Sequence, residues 1–127
     1  MPRFINAVLN NKPVTIYGDG KQTRDFTFVG NVVEANLKAL KAPKSASGKV
    51  FNIACGERIS LLTIISQMEK IFKKKIKRNF QAARQGDVKH SLADIALAKR
   101  YLKFKPIYNF NEGLEKTILW YQQQMKK

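Results

Sequence analysis

One cysteine, one histidine and one tryptophan in 127 residues close off several kinds of function at once. Cys55 has no partner for an internal disulfide, and with His90 as the only histidine the usual Cys/His sets of structural zinc sites cannot be assembled. No apolar run approaches the roughly 18 residues that a bilayer span needs. The opening residues MPRFINAVLNNK show neither a long apolar core nor a small-residue cleavage site, so nothing marks the chain for export. The expectation is a metal-free, soluble chain in a reducing cytoplasm, without a membrane partner. Phosphate-cradling signatures are missing too. No Gly-x-Gly-x-x-Gly or Walker sequence opens a helix after a strand, which leaves no dinucleotide or nucleoside triphosphate site of the usual design.

Acidic residues are also scarce: nine Asp and Glu face 24 Lys and Arg, a formal charge of +15. Such a chain attracts phosphates and polyanions in general. The densest basic run, Lys70 to Arg78, is interrupted by Ile71, Phe72 and Ile76, as where a helix end passes into a short strand. Lysines suit a helix C-terminus and a solvated face. Neither interleaved exposed aromatics nor a nucleic-acid motif accompanies them, so a nucleic-acid partner is not expected. A basic polyanion-binding module is the alternative that composition leaves standing.

Length fits one domain, residues 1–127, with 44% hydrophobic residues for one core. The pattern predicts a small mixed α/β unit. Residues 2–10 read as a helix with Pro2 early and Phe4, Ile5, Val8 and Leu9 on one face. Strands at 14–17 and 24–29 are expected to pair across the turn Gly18-Asp19-Gly20, with both glycines, and Asp19 beside them, at positive φ and Asp25 holding the turn. KVFNIAC (49–55) and KIKRNF (75–80) read as strands, the first buried. Helices are expected near 31–42, 60–73 and 110–124, the first opened by a capping box of Asn31 and Glu34 and the last by one of Asn109 and Glu112. Ser60 is expected to cap the middle one, and Asp94 the helix IALAKRYL. Phe104 and Trp120 are assigned to the core. Cys55 is expected to pack, and His90 to lie in a loop. A Ser-His-Asp arrangement from His90, Ser91 and Asp94 reads as caps and turns, so no catalytic residue is assigned.

Four blocks in order, PVTIYGDGKQTRDFTFV, NVVEANLKAL, FNIACGERISL and RQGDVKHSLADIALAKRYL, resemble the C-terminal, substrate-binding lobe of the NAD-dependent nucleotide-sugar epimerase/dehydratase family, the extended short-chain dehydrogenases. Within it they are most similar to the UDP-N-acetylglucosamine 4-epimerase branch. The resemblance implies a lobe that grips a UDP-sugar. Arg24, from the GDG-x-x-x-Arg-Asp block, and Arg84, from the Arg-x-Gly-Asp block, would close on the diphosphate. Asp87 would lie near the ribose hydroxyls, and the strand Thr15, Ile16, Tyr17 would receive the uracil base. Arginine suits that task because its planar fork matches phosphate better than the point charge of lysine.

The sequence also departs from the family. Lys103 stands where a glycine is usual, and Gly30 where an acidic residue is frequent. The largest departure concerns the cofactor lobe: its glycine-rich turn and Tyr-x-x-x-Lys pair are not found here. The expectation is a nucleotide-sugar-binding part of a larger 4-epimerase, without a cofactor site of its own and inactive alone. Its expected partners are the UDP-sugar and the missing N-terminal Rossmann lobe that carries NAD, and a homodimer of the complete enzyme is admitted.

Overall fold

The computed structural model describes residues 1–125. In chain order the elements are α1 (Pro2–Leu9), β1 (Val14–Tyr17), β2 (Thr23–Arg24), α2 (Val29–Leu40), a 3-10 turn (Lys44–Ala46), β3 (Ile59–Ser60), α3 (Leu61–Phe72), β4 (Arg78–Gln81), α4 (Ala96–Leu102) and α5 (Phe110–Gln124). They divide into two units, each built from separate stretches of chain. The first holds residues 1–23, 59–90 and those from 115 onward; the second holds 24–58 and 91–114.

In the first unit α1 opens with Pro2, whose missing N–H costs nothing in a first turn, and buries Ile5 and Val8. The chain leaves the helix through Asn11 at φ 54°, and the Lys74 ammonium donates to Val8 O at 3.1 Å and Asn11 Oδ1 at 2.8 Å. A lysine of the densest basic run thus serves a helix C-terminus, as the dipole favours. The helix α3 starts as expected, with Ser60 Oγ accepting from Thr63 N at 3.0 Å, and it buries Ile64, Ile65 and Met68. Past its end the Glu69 carboxylate accepts from Ile76 N at 3.0 Å and from the Arg78 guanidinium at 3.3 Å, which aims the chain into β4.

The strand β1 does not form the expected hairpin. It pairs in parallel with β4, in the register Val14↔Arg78 to Tyr17↔Gln81. Val14 and Ile16 are buried, while Thr15 and Tyr17 alternate to the wetter face. Residues 25–28 are in no ladder, and the short β2 pairs instead with β3. Alternation reveals a strand but not its partner. Gly18 and Gly20 do stand at φ 80° and 74°, whereas Asp19 is not at positive φ and its carboxylate accepts from Lys21 N.

In the second unit Ala35, Ala46, Ala98, Leu102 and Phe104 form the core, with Phe51, Ile53 and Tyr101 packed on it. The segment 49–55, expected as a buried strand, joins no ladder, and Val50 is 87% exposed. Asn109 and Glu112 form their capping box in both directions, at 3.0 and 2.9 Å. Asp94 Oδ1 accepts from Ala96 N at the start of α4, and that helix ends on Lys103 at φ 53°, so the lysine takes the left-handed conformation. Phe28 lies between two glycines. A Cβ on Gly30 would stand 2.9 Å from its ring and one on Gly113 2.7 Å from its Cβ, so neither position accepts a side chain without movement.

Asn31 is not a cap. It sits inside α2, fully buried, where Oδ1 accepts from Ile107 N at 2.9 Å and Tyr108 N at 3.0 Å while Nδ2 donates to Tyr108 O at 2.9 Å. Glu34 pairs with Lys38 instead. Asp25 holds not the Gly18–Gly20 turn but that at Cys55 and Gly56, whose N–H groups it receives at 3.0 and 2.9 Å. In the first unit Trp120 is 54% exposed, not core. Exposed apolar residues also run down α2, at Val29, Val33, Leu37 and Leu40, in steps of four, four and three. Among the described residues no helix is long and apolar enough to cross a membrane, and no cluster of three metal-ligating side chains occurs.

Replacing Asn31 by leucine removes the side-chain acceptor of two part-buried N–H groups and the donor to one carbonyl. At about 1–3 kcal/mol for such a group, Asn31→Leu is expected to lower the unfolding free energy by roughly 3 kcal/mol or more, read from urea denaturation. Asn36→Leu, on the same helix but exposed, is the control.

Candidate functional site

The parallel ladder of β1 and β4 ends with both strands leaving it together. Gly18 N still donates to Gln81 O at 2.9 Å, and a Cβ on Gly18 would rest 3.6 Å from that of Ala83. From there the segments 18–22 and 82–89 form the two sides of a cleft of about 390 Å³. Gly20 has two reasons to be glycine: its φ of 74°, and the Leu62 side chain 2.9 Å from where a Cβ would stand. The far end is tied by Thr23 N donating to Lys89 O at 2.9 Å, and by a 3.0 Å bond between Thr23 Oγ1 and His90 Nδ1. His90 thus belongs to a bridge with Thr23.

Several of the residues expected to bind substrate meet in this cleft. The Arg84 guanidinium lies 3.8 Å from the centroid of the Tyr17 ring, a stacked cation–π contact. Asp87 follows in a turn closed by its N–H on Arg84 O, with Gly86 at φ 78°, and lines the same space, as does Lys89. Of the strand residues, Ile16 buries its side chain. Since Val14 and Gly18 donate toward β4, alternation turns the backbone groups of Thr15 and Tyr17 the other way. Arg24, half-buried in β2, belongs to the second unit.

Gln22 was not expected here. Its Nε2 donates to Tyr17 O at 2.6 Å, closing the chain reversal by a side chain, and its Oε1 is out of solvent without a donor. The only trace in the sequence is an amide two residues after a Gly-Asp-Gly turn, where such bonds to backbone are common but unspecific.

The other candidates are structural. The Cys55 thiol is pushed above its ordinary range, first by burial and then by the Asp25 carboxylate, and it receives the Asn31 amide at 3.5 Å. It is a protonated packing group, not a nucleophile. A second cleft, of about 540 Å³, is lined by Lys38, Lys41, Arg100 and Lys103 where α2 and α4 both end. Cations there answer two helix dipoles, which explains them without a ligand.

Residues 1–54 match the model of the NAD dependent epimerase/dehydratase family. The chain is similar to members of that family along nearly its whole length. It is 34% identical over 98% of its length to a UDP-glucuronate 4-epimerase of Thermodesulfobacterium geofontis, and covers 38% of that relative. The UDP-glucuronic acid 4-epimerase of Bacillus cereus, solved with UDP-glucuronic acid and NAD, superposes at a TM-score of 0.90 with 38% identity, over 96% of this chain and 39% of that one. A UDP-N-acetylglucosamine 4-epimerase of Methanobrevibacter ruminantium, solved with UDP-N-acetylmuramic acid, gives 0.89 with 34% identity over 98% of this chain and 39% of its own. The chain therefore spans about two fifths of the length of these relatives, and it matches their C-terminal portion. The mixed α/β architecture is that of this portion of the epimerases.

A thiol with a raised pKa holds less thiolate at any pH below it, and only the thiolate is alkylated. The reaction of Cys55 with iodoacetamide at pH 8 is expected to run slower in the folded chain than in urea. A faster reaction in the folded state would contradict the packing role.

Proposed function

We propose that this chain is the UDP-holding part of a nucleotide-sugar 4-epimerase, with UDP-N-acetylglucosamine as the substrate the sequence favours. The observation that carries the reading is the Arg84–Tyr17 stack in a cleft shared with Asp87. Stacking on Tyr17 restrains the guanidinium while leaving its edge N–H groups for phosphate oxygens. Arg24 is proposed as the second cation on the diphosphate, Asp87 as the acceptor for ribose hydroxyls, and the outer backbone groups of Thr15 with the Tyr17 N–H as the reading edge for uracil, the Tyr17 carbonyl being held by Gln22. Two of the three relatives named above act on UDP-glucuronic acid and the third on UDP-N-acetylglucosamine, so the sugar varies while UDP is shared. The diphosphate and base are therefore the constant part of the ligand.

Such a site contributes anchoring. Holding the nucleotide far from the reacting carbon positions the sugar without fixing which face it presents, as an epimerase that oxidises and re-reduces C4 requires. Nicotinamide supplies the hydride chemistry in this family, and NAD is present in the Bacillus cereus structure. The residues described here do not fit that cofactor. No strand leads through a glycine-rich turn into a helix, and at the start of α3 the Thr63 N–H is already taken by Ser60. We therefore assign oxidation and proton transfer to a cofactor lobe outside these residues. The exposed stripe Val29, Val33, Leu37 and Leu40 is an apolar surface of the kind such a lobe would cover, and its presence supports a partner of that sort.

Calorimetric titration with UDP tests the reading. Arg84→Ala and Arg24→Ala are each expected to weaken binding by about 1.5–3 kcal/mol, the range for hydrogen bonds to a charged group. The double variant should lose less than the sum, because both cations act on one ligand. Lys75→Ala, in the densest basic run, is the control. Equal losses from Lys75→Ala, or steep loss of all binding with salt for any polyanion, would replace the reading with non-specific charge attraction.

A further inference from the structure

We propose that Gln22 is the positioning residue of this cleft, holding the Tyr17–Arg84 stack in its anion-ready geometry through the Tyr17 carbonyl; the ligand part of the proposal rests on the UDP reading above. Tyr17 ends β1 and is followed by a stretch in which two positive-φ glycines flank Asp19. Such a stretch has unusual backbone freedom. The Tyr17–Gly18 peptide is tied on its inner edge by Gly18 N donating to Gln81 O at 2.9 Å, and on its outer edge by the 2.6 Å bond from Gln22 Nε2. The Gln22 bond completes the hold on the peptide plane that follows the Tyr17 ring, and the ring is the platform for Arg84 at 3.8 Å.

The orientation of the amide is not arbitrary. Two oxygens at 2.6 Å would repel, so the nitrogen must face the carbonyl, and the oxygen is then left without a donor in a place water does not reach. An acceptor buried in this way costs stability, and a residue kept only for stability would not carry that cost. The arrangement makes sense if the amide is retained for what its donor positions. A neutral, flat donor fits beside Arg84 and Lys89, where a lysine would add a third positive charge.

Gln22→Met keeps the length of the side chain and removes both the bond and the unpaired acceptor. The two changes act on stability in opposite directions, so the unfolding midpoint should scarcely move. UDP affinity should fall roughly tenfold, the scale of one such interaction. A second readout needs no ligand. In the wild-type chain the Arg84 side-chain resonances should carry an upfield ring-current shift, which Tyr17→Leu abolishes, and Gln22→Met should reduce it markedly.

Unchanged UDP affinity and an unchanged ring-current shift in Gln22→Met would overturn the proposal. So would an affinity loss that only follows a fall in the unfolding midpoint, since that is ordinary structural damage. If the wild-type chain does not bind UDP while the ring-current shift still depends on Gln22, the UDP reading fails and the hold on the stack stands.

Discussion

The parallel pairing of β1 with β4 is the constraint on which the candidate site depends. It joins residues 14–17 to residues 78–81, and its register decides what meets beyond the ladder. Because the strands run the same way, their exits lie side by side. The glycine turn after Tyr17 and the loop carrying Arg84 and Asp87 therefore leave together. An antiparallel hairpin would have sent them to opposite ends. A slip of one residue would turn Val14 and Ile16 out of the core, so the same burial that stabilises the first unit also fixes the stack.

Polar side chains complete what the ladders leave open. Asn31 satisfies three backbone groups inside the second unit, Asp25 binds two N–H groups at Cys55 and Gly56, and Glu69 receives the chain as it enters β4. Each replaces regular structure in a stretch where the backbone is irregular, which is how short elements are held without long ladders. Gln22 follows the same pattern at Tyr17 but leaves its own oxygen unpaired. That asymmetry separates it from the other three.

Local chemistry was legible in the sequence wherever the partner lies within a few residues. The Ser60 cap, the Asn109–Glu112 box, the Pro2 helix start and the positive φ of Gly18 and Gly20 all depend on near neighbours. What was misread depends on distant ones. Asn31 has the spacing of a cap, but its partners are 76 and 77 residues away. The strand at 14–17 alternates as a hairpin arm would, but its partner comes after α3. Trp120 reads as core by composition, although a helix position facing solvent leaves no mark in the residue itself. Of the candidate site, Arg84, Asp87 and Tyr17 came from motif blocks and meet in one cleft, whereas Gln22 left too faint a trace.

The cleft between the glycine turn and the Arg84–Asp87 loop is proposed to receive a nucleoside diphosphate. A crystal structure of the chain grown with UDP tests it most directly. The expected result is diphosphate density against the Arg84 guanidinium, with Arg84 still stacked on Tyr17. UDP seated instead among the cations at the ends of α2 and α4, with the Tyr17 cleft holding only solvent, would contradict it.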